Sequence, residues 1–208
     1  MKILICDDHK IVRDGLKQIL QQLEKTISIC EAGTGEEALN LLKTEAFDIV
    51  LLDISLPDRS GLEVLESAKI KWPSINVLML SMFPEEQYAI HSLKLGASGY
   101  LTKDTTSKEL LLAVKRVSEG GKYVSQSLAE SIAFHPNQMS SKKKHEMLSA
   151  REFEIMLKIA NGRLLKEIGV ELLISIKSVS TYRSRVMDKM EFSKNVELVR
   201  YCLENNLI

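Results

Sequence analysis

The sequence predicts two domains, an α/β doubly wound five-stranded parallel sheet followed by a small all-α domain of four helices. Three observations carry this. Residues 1–121 alternate short, continuous apolar runs with segments of helical period. From residue 148 onward only the helical period remains. Charge divides the same way: the chain as a whole is neutral, but residues 1–124 carry net −3 and residues 125–208 net +3. Alternating strand and helix patterns argue a parallel sheet with crossover helices, and unlike charge in the two halves argues unlike partners.

The elements follow in order. Ile3-Leu4-Ile5-Cys6, Ile49-Val50-Leu51-Leu52 and Val77-Leu78-Met79-Leu80 are apolar without alternation, as parallel strands buried on both faces should be. Two weaker strands are read at 28–31 and 98–101. Val12, Leu16, Ile19, Leu20 and Leu23 form one helical stripe, and Thr34 with Glu37 has the spacing of a capping box opening the next helix. Further helices are predicted at 61–70, 85–93 and 107–118. Gly120-Gly121 closes the unit, as glycine does beyond a helix C-terminus.

Several classes are excluded on composition. The longest apolar stretches fall far below the roughly 20 residues that cross a bilayer, so no membrane partner is expected. The N-terminus turns acidic at Asp7-Asp8, too soon for a secretion signal, and a cytoplasmic location is expected. Cys6, Cys30 and Cys202 lack metal or disulfide spacing, and the four histidines show no helical pairing.

Chemistry concentrates where the strands end. Strand 1 finishes in Asp7-Asp8, strand 3 in Asp53 and strand 4 in Ser81, and strand 5 runs into Lys103. Ligand sites in open α/β sheets lie at the carboxyl ends of strands, at the topological switch point. In the flavodoxin-like strand order 2-1-3-4-5, strands 1 and 3 are neighbours, which brings Asp7, Asp8 and Asp53 together. Carboxylates that close repel one another unless a cation neutralises them. An all-oxygen donor set selects a hard ion, most simply Mg²⁺.

Asp7-Asp8, Asp53-Ile-Ser-Leu-Pro57 with Gly61, Ser81, and Gly99-Tyr100-Leu101-Thr102-Lys103 together resemble a two-component receiver domain. The resemblance implies that Asp53 is the phosphoacceptor for a sensor histidine kinase. It implies Mg²⁺ held by Asp8, Asp53 and the Ser55 carbonyl, with Asp7 acting through water, and Ser81 and Lys103 contacting the phosphoryl oxygens. It further implies a switch in which Ser81 moves toward the new phosphate and Tyr100 fills the space it leaves. Two departures stand out: Asp104 follows Lys103 where proline is common, and Met82 occupies a position where a small residue is common.

Residues 122–147 read as a linker, rich in polar residues, with Pro136, the run Lys142-Lys143-Lys144 and a short helix at 127–134. From Leu148, Ser149 and Glu152 fit a capping box, and Asn161-Gly162 stops the first helix. A short helix at 165–172, a turn at Leu173-Ile174 and a basic helix opened by Ser175 form a helix-turn-helix pattern. At 100° per residue, Val179, Val186 and Met190 point inward, while Lys177, Ser180, Thr181 and Ser184 share the opposite face. Small polar residues on an exposed face let a helix approach base edges.

Leu148-Ser149-Ala-Arg151-Glu152, Ala160-Asn-Gly162, Lys166-Glu167-Ile168, Ile174-Ser175 through Val179, Lys189-Met190 and Glu197-Leu198-Val199 resemble the LuxR-type DNA-binding module over 148–208. The whole chain therefore resembles the NarL/FixJ class of response regulators, for which double-stranded promoter DNA and RNA polymerase are the expected partners. The resemblance implies groove contacts from Ser180, Thr181 and Ser184, with Lys177, Arg183, Arg185 and Lys189 on bases or phosphates. It also implies a homodimer through the last helix, at Val199, Cys202 and Leu203, although packing of these residues against their own module is the alternative. Gly169 stands where alanine is usual, which would loosen its helix by about 1 kcal/mol. The expected function is transcriptional control, not turnover. The rival phosphohydrolase reading would require an Asp-x-Asp pair, whereas Asp7 and Asp8 are adjacent.

Overall fold

In a computed structural model of the chain, the described residues are 1–23, 26–83, 85–134 and 143–208. Five strands, β1 (Lys2–Cys6), β2 (Ser28–Ala32), β3 (Ile49–Asp53), β4 (Val77–Ser81) and β5 (Gly99–Thr102), form one parallel sheet in the order β2-β1-β3-β4-β5. The three strands with the strongest apolar runs are its interior, β3 and β4 being buried along their whole length. The edge strand β2 is half exposed and carries Glu31, which pairs with Arg13 and Lys17, so its sequence signal is diluted by solvent-facing positions. At β5, a side chain on Gly99 would place its Cβ 2.6 Å from the Tyr123 carbonyl, because Tyr123 runs parallel beside it.

Helices α1 (Lys10–Leu20) and α5 (Ser107–Ser118) cover one face, packing on Ile3, Ile5, Ile49, Leu51, Leu78 and Leu80. Helices α2 (Gly35–Thr44), α3 (Gly61–Lys71) and α4 (Glu85–Lys94) cover the other, on Leu4, Val50, Leu52, Val77 and Met79. Alternate residues of each strand thus serve opposite cores. The box expected at Thr34 is half formed. Thr34 accepts from the Glu37 amide, but the Glu37 carboxylate takes the Gly33 amide and not that of Thr34.

The second domain comprises α7 (Ala150–Ala160), α8 (Leu165–Glu171), α9 (Ile176–Met190) and α10 (Asn195–Glu204), preceded by a short 3₁₀ turn at Lys144–Met147. The Ser149–Glu152 capping box is complete. Gly169 is a requirement of packing: an alanine Cβ would sit 2.9 Å from the Ile174 carbonyl, where α8 turns toward α9. The expected loss of helix propensity therefore accompanies a close approach that a side chain would block.

Segments expected to be linker attach to both domains. Tyr123 bonds to Ser98 and Glu109 and Ser125 to Glu85, and the chain continues into α6 (Gln126–Phe134). Lys144, read as part of the linker, pairs with Glu191 and lies over the Phe192 ring. His135, Pro136 and Lys142 lie outside the described residues.

The domains touch through α7, which is buried at every position except Lys158. Its inner face meets α9 and α10, and its outer face rests on α3 and, through Phe153, on Tyr88 and His91 of α4. Phe153 stacks on His91 of α4, centroids 4.1 Å apart and planes 13° from parallel, with Tyr88 edge-on at 5.9 Å. Arg151 bonds to Glu154 at 2.8 Å and to the Leu172 carbonyl at 3.1 Å, and reaches Glu63 of α3 at 3.7 Å.

Candidate functional site

Parallel strands deliver their last side chains to one edge of the sheet, and here that edge collects charge. Asp7, at the end of β1, and Asp53, at the end of β3, are both buried. Lys103, just beyond β5, places its ammonium 2.6 Å from Asp7 Oδ2 and 2.7 Å from Asp53 Oδ2. The repulsion expected between these acids is thus met first by the lysine. Burial pushes the Asp53 carboxyl up to about 6, with Lys103 opposing and Asp7 adding to the rise. Burial pulls the Lys103 ammonium down, but its bonds to Asp53 and Asp7 outweigh that and leave it raised. A tightly held buried ion pair of this kind stands or falls on both partners being present.

Local backbone geometry fixes Asp53. The Ser55 amide beside it favours its charged form. The chain then turns back so that Gly61 lies against the Asp53 backbone, where an added Cβ would sit 1.9 Å from the Asp53 carbonyl oxygen. No side chain fits there. The Gly61 amide donates to Ile54 at 2.8 Å, and Ser60 with Glu63 forms the capping box that starts α3.

Asp8 is partly exposed at the mouth of the site. Ligand-capable atoms of Asp7, Asp8, His9 and Asp53 all fall within 4.8 Å of one another. Three carboxylates so placed are a hard-oxygen donor set, and they fit a divalent ion such as Mg²⁺ that retains waters. His9 was not singled out from sequence. Its amide donates to Asp7 at 2.9 Å and its Nδ1 lies 2.7 Å from Asp8, so it holds both acids in place. The sequence signal available was its position directly after the acid pair.

Beside these acids, Ser81 is fully buried and its hydroxyl accepts from the Phe83 amide at 2.9 Å. Tyr100 is also fully buried, and its hydroxyl donates to the Phe83 carbonyl at 3.0 Å. The ring thus lies in the interior, where the expected switch would carry it. No cis peptide occurs among the described residues, so the Lys103–Asp104 bond is trans.

The second site lies on α9. Val179, Val186 and Met190 are buried as their spacing requires, joined by Met187 at the flank of the same side. Lys177, Ser180, Thr181, Ser184 and Arg185 are exposed. The receiver does not cover them, since it rests on α7. Two other basic residues are engaged elsewhere: Arg183 donates twice to Asn195 Oδ1, at 3.0 and 2.7 Å, and Lys189 pairs with Glu152 at 2.6 Å. On α10, Cys202 is fully buried in its own module and so is removed from any partner face. Val199 is half-buried, while Leu203 and Val196 are exposed. Residues 196, 199 and 203 share one helical face.

Comparison with known proteins bears on both sites. Residues 3–115 match the response regulator receiver domain family, and residues 146–202 match the bacterial regulatory proteins of the luxR family. The chain is 36% identical to the oxygen regulatory protein NreC of Staphylococcus epidermidis, with 100% of this chain and 99% of that protein covered. It is 32% identical to the response regulator GacA of Pseudomonas aeruginosa, covering 100% and 98%. Among solved structures it is similar to RcsB of Salmonella enterica serovar Typhimurium bound to the rprA promoter in the presence of the phosphomimetic BeF3-. That likeness has 25% identity and a TM-score of 0.64 over 97% of each chain.

Proposed function

We propose, from the premise that this chain belongs to the NarL/FixJ class of two-component response regulators, that phosphoryl transfer to Asp53 controls its binding to promoter DNA. The observation that carries the reading is the buried Asp53 carboxylate, held 2.7 Å from a lysine that also binds Asp7.

The donor is the phosphohistidine of a sensor kinase. An Asp53 carboxylate oxygen attacks phosphorus in line, the P–O bond forms as the P–N bond breaks, and the imidazole leaves with the electron pair. Catalysis of such a transfer is mainly positioning and charge neutralisation. Asp8, Asp53 and the Ser55 carbonyl, with Asp7 through water, would hold Mg²⁺, which supplies positive charge to the transferring oxygens. Lys103 supplies a second positive charge from the protein itself. The acyl phosphate adds about 1.5 to 2 negative charges, and it draws the Lys103 ammonium and the Ser81 hydroxyl as donors. Ser81 and Tyr100 share the Phe83 backbone, so a shift of Ser81 reaches the Phe83–Tyr88 aromatic pair and then Phe153.

At the output end, Ser180, Thr181 and Ser184 approach base edges while Lys177 and Arg185 reach bases or phosphates. Because the receiver sits on α7 and leaves this face open, phosphorylation acts on how the two domains are held, not by unmasking α9. Val196, Val199 and Leu203 of α10 supply the homodimer contact, and RNA polymerase is the downstream partner. Among the described residues no helix is long and apolar enough to cross a membrane, and the cytoplasm is the proposed location.

The test is labelling of the full chain with radioactive acetyl phosphate and Mg²⁺. Wild type takes up one phosphoryl group and Asp53→Asn takes up none. Undiminished labelling of a folded Asp53→Asn chain would refute the assignment.

A further inference from the structure

Phe153 is the fully buried centre of the seam between the domains, and two histidines approach it from different elements. His91 of α4 stacks face to face on it, and His145 of the 3₁₀ turn lies tilted 5.9 Å away. His145 is held by its own module, its Nδ1 lying 2.9 Å from the Tyr201 hydroxyl. His91 differs: it is buried, and neither ring nitrogen has a hydrogen-bond partner among the described residues. An imidazole in that setting costs less when neutral than when charged, because among the described residues no acceptor meets a second N–H.

The surrounding charges reinforce this. On its own helix, Lys94 raises the cost of an imidazolium, and from the 3₁₀ turn His145 does the same. Tyr88 is held protonated by burial. From α7 come Arg151 and Glu154, which are paired with each other, and from α3 comes Glu63, which meets Arg151. Lys143 and Lys94 oppose a charge on His145, and Tyr201 of α10 faces His145, not His91. No carboxylate contacts the His91 ring among the described residues.

We propose that His91 is a proton-operated latch between the receiver and the DNA-binding domain. Its neutral ring holds Phe153 and α7 in place, and its protonation releases α7 with no change at Asp53. The latch is independent of the phosphotransfer reading, since it uses none of the acids at the sheet edge.

The sign follows from linkage. Burial lowers His91 to about 3 in the docked state, against 6.5 for a solvated imidazole. Docking is therefore at full strength above 6.5 and weakens as pH falls below it. Between pH 7 and 5.5 the open-to-docked ratio rises roughly eightfold for this one group. Glu154 works in the opposite direction, because burial raises its carboxyl and acid favours its buried, protonated form. His145 stays against Tyr201 when α7 lifts, so its contribution is smaller.

The experiment uses the full-length Asp53→Asn chain with fluorescent labels on the exposed positions 11 and 203, reading the open population by single-molecule energy transfer from pH 7.5 to 5. The expected result is an open-to-docked ratio that grows from pH 7 to 5.5, reaching up to roughly eightfold where Glu154 does not oppose it, with circular dichroism unchanged. His91→Phe keeps the stack and abolishes the rise, His145→Phe retains it, and Glu154→Gln steepens it. A flat profile with His91 intact, or the same rise in His91→Phe, overturns the latch. Should His91→Phe fail to fold, the His91 ring resonances of the wild-type chain decide. Rings that titrate near 6.5 in the docked species contradict the proposal, and rings silent down to about pH 4 support it.

Discussion

The acidic edge of the sheet and the exposed face of α9 answer to different physics. At the sheet edge, charge is buried and paired. Asp7, Asp53 and Lys103 have one arrangement because leaving any of them unpaired in a dry site is costly. On α9, charge is solvated, and each basic residue chooses between a partner in its own module and solvent. Arg183 and Lys189 have taken internal partners and Arg185 lies over the Tyr182 ring, while Lys177 is exposed at the surface. Burial removes alternatives, and exposure leaves them open.

That contrast can be broken at its strongest point first. Lys103→Ala should cost about 3–5 kcal/mol in urea unfolding, since it strands two buried carboxylates. Millimolar Mg²⁺ should recover part of that loss, and recover more in the variant than in wild type. A loss below about 1 kcal/mol would mean the site is wet, and the comparison would fail.

Gly61→Ala comes next, at about 3 kcal/mol by thermal or denaturant unfolding, because its Cβ meets the Asp53 carbonyl at 1.9 Å. A neutral substitution there would show that the turn behind Asp53 is free to move.

The solvated region should respond less in stability and more in recognition. Thr181→Ala and Ser184→Ala should each change base discrimination by about 1–3 kcal/mol, read from binding to a randomised duplex pool, with unfolding unaffected. If both leave preference intact, the groove-facing side of α9 is elsewhere.

Smallest is Lys189→Ala. Its pair with Glu152 makes it a stability residue worth about 1 kcal/mol, and the salt dependence of DNA binding should keep its slope. Lys177→Ala should instead reduce that slope by about 1. The reverse pattern would return Lys189 to the DNA face.

The same contrast explains what the sequence made legible. Asp7, Asp53 and Ser81 were readable because each ends a continuous apolar run, Lys103 because it follows a weaker strand, and a parallel sheet lines those ends up. The inward row of α9 was readable from its period, with Met187 overlooked because it falls at the flank of that row. Three things were not readable. His9 braces the acid pair through contacts that no spacing encodes. Cys202 looks alike on a partner face and in a core, and only the packing of α10 on α7 decides it. The stack of His91 on Phe153 joins residues 62 positions apart in different domains, and it depends on how two separately folded surfaces meet. Tyr100 is a further case: the sequence gives its identity but not its rotamer.

The central claim is that charge placed on Asp53 changes what α9 does on DNA. The most direct measurement is recovery of sheared genomic DNA on the full-length chain with and without acetyl phosphate and Mg²⁺, beside Asp53→Asn handled identically. The account predicts discrete fragments whose enrichment changes on phosphorylation in wild type alone. Identical fragment profiles in all four samples, from chains shown to be folded and with the wild type fully labelled, would contradict it.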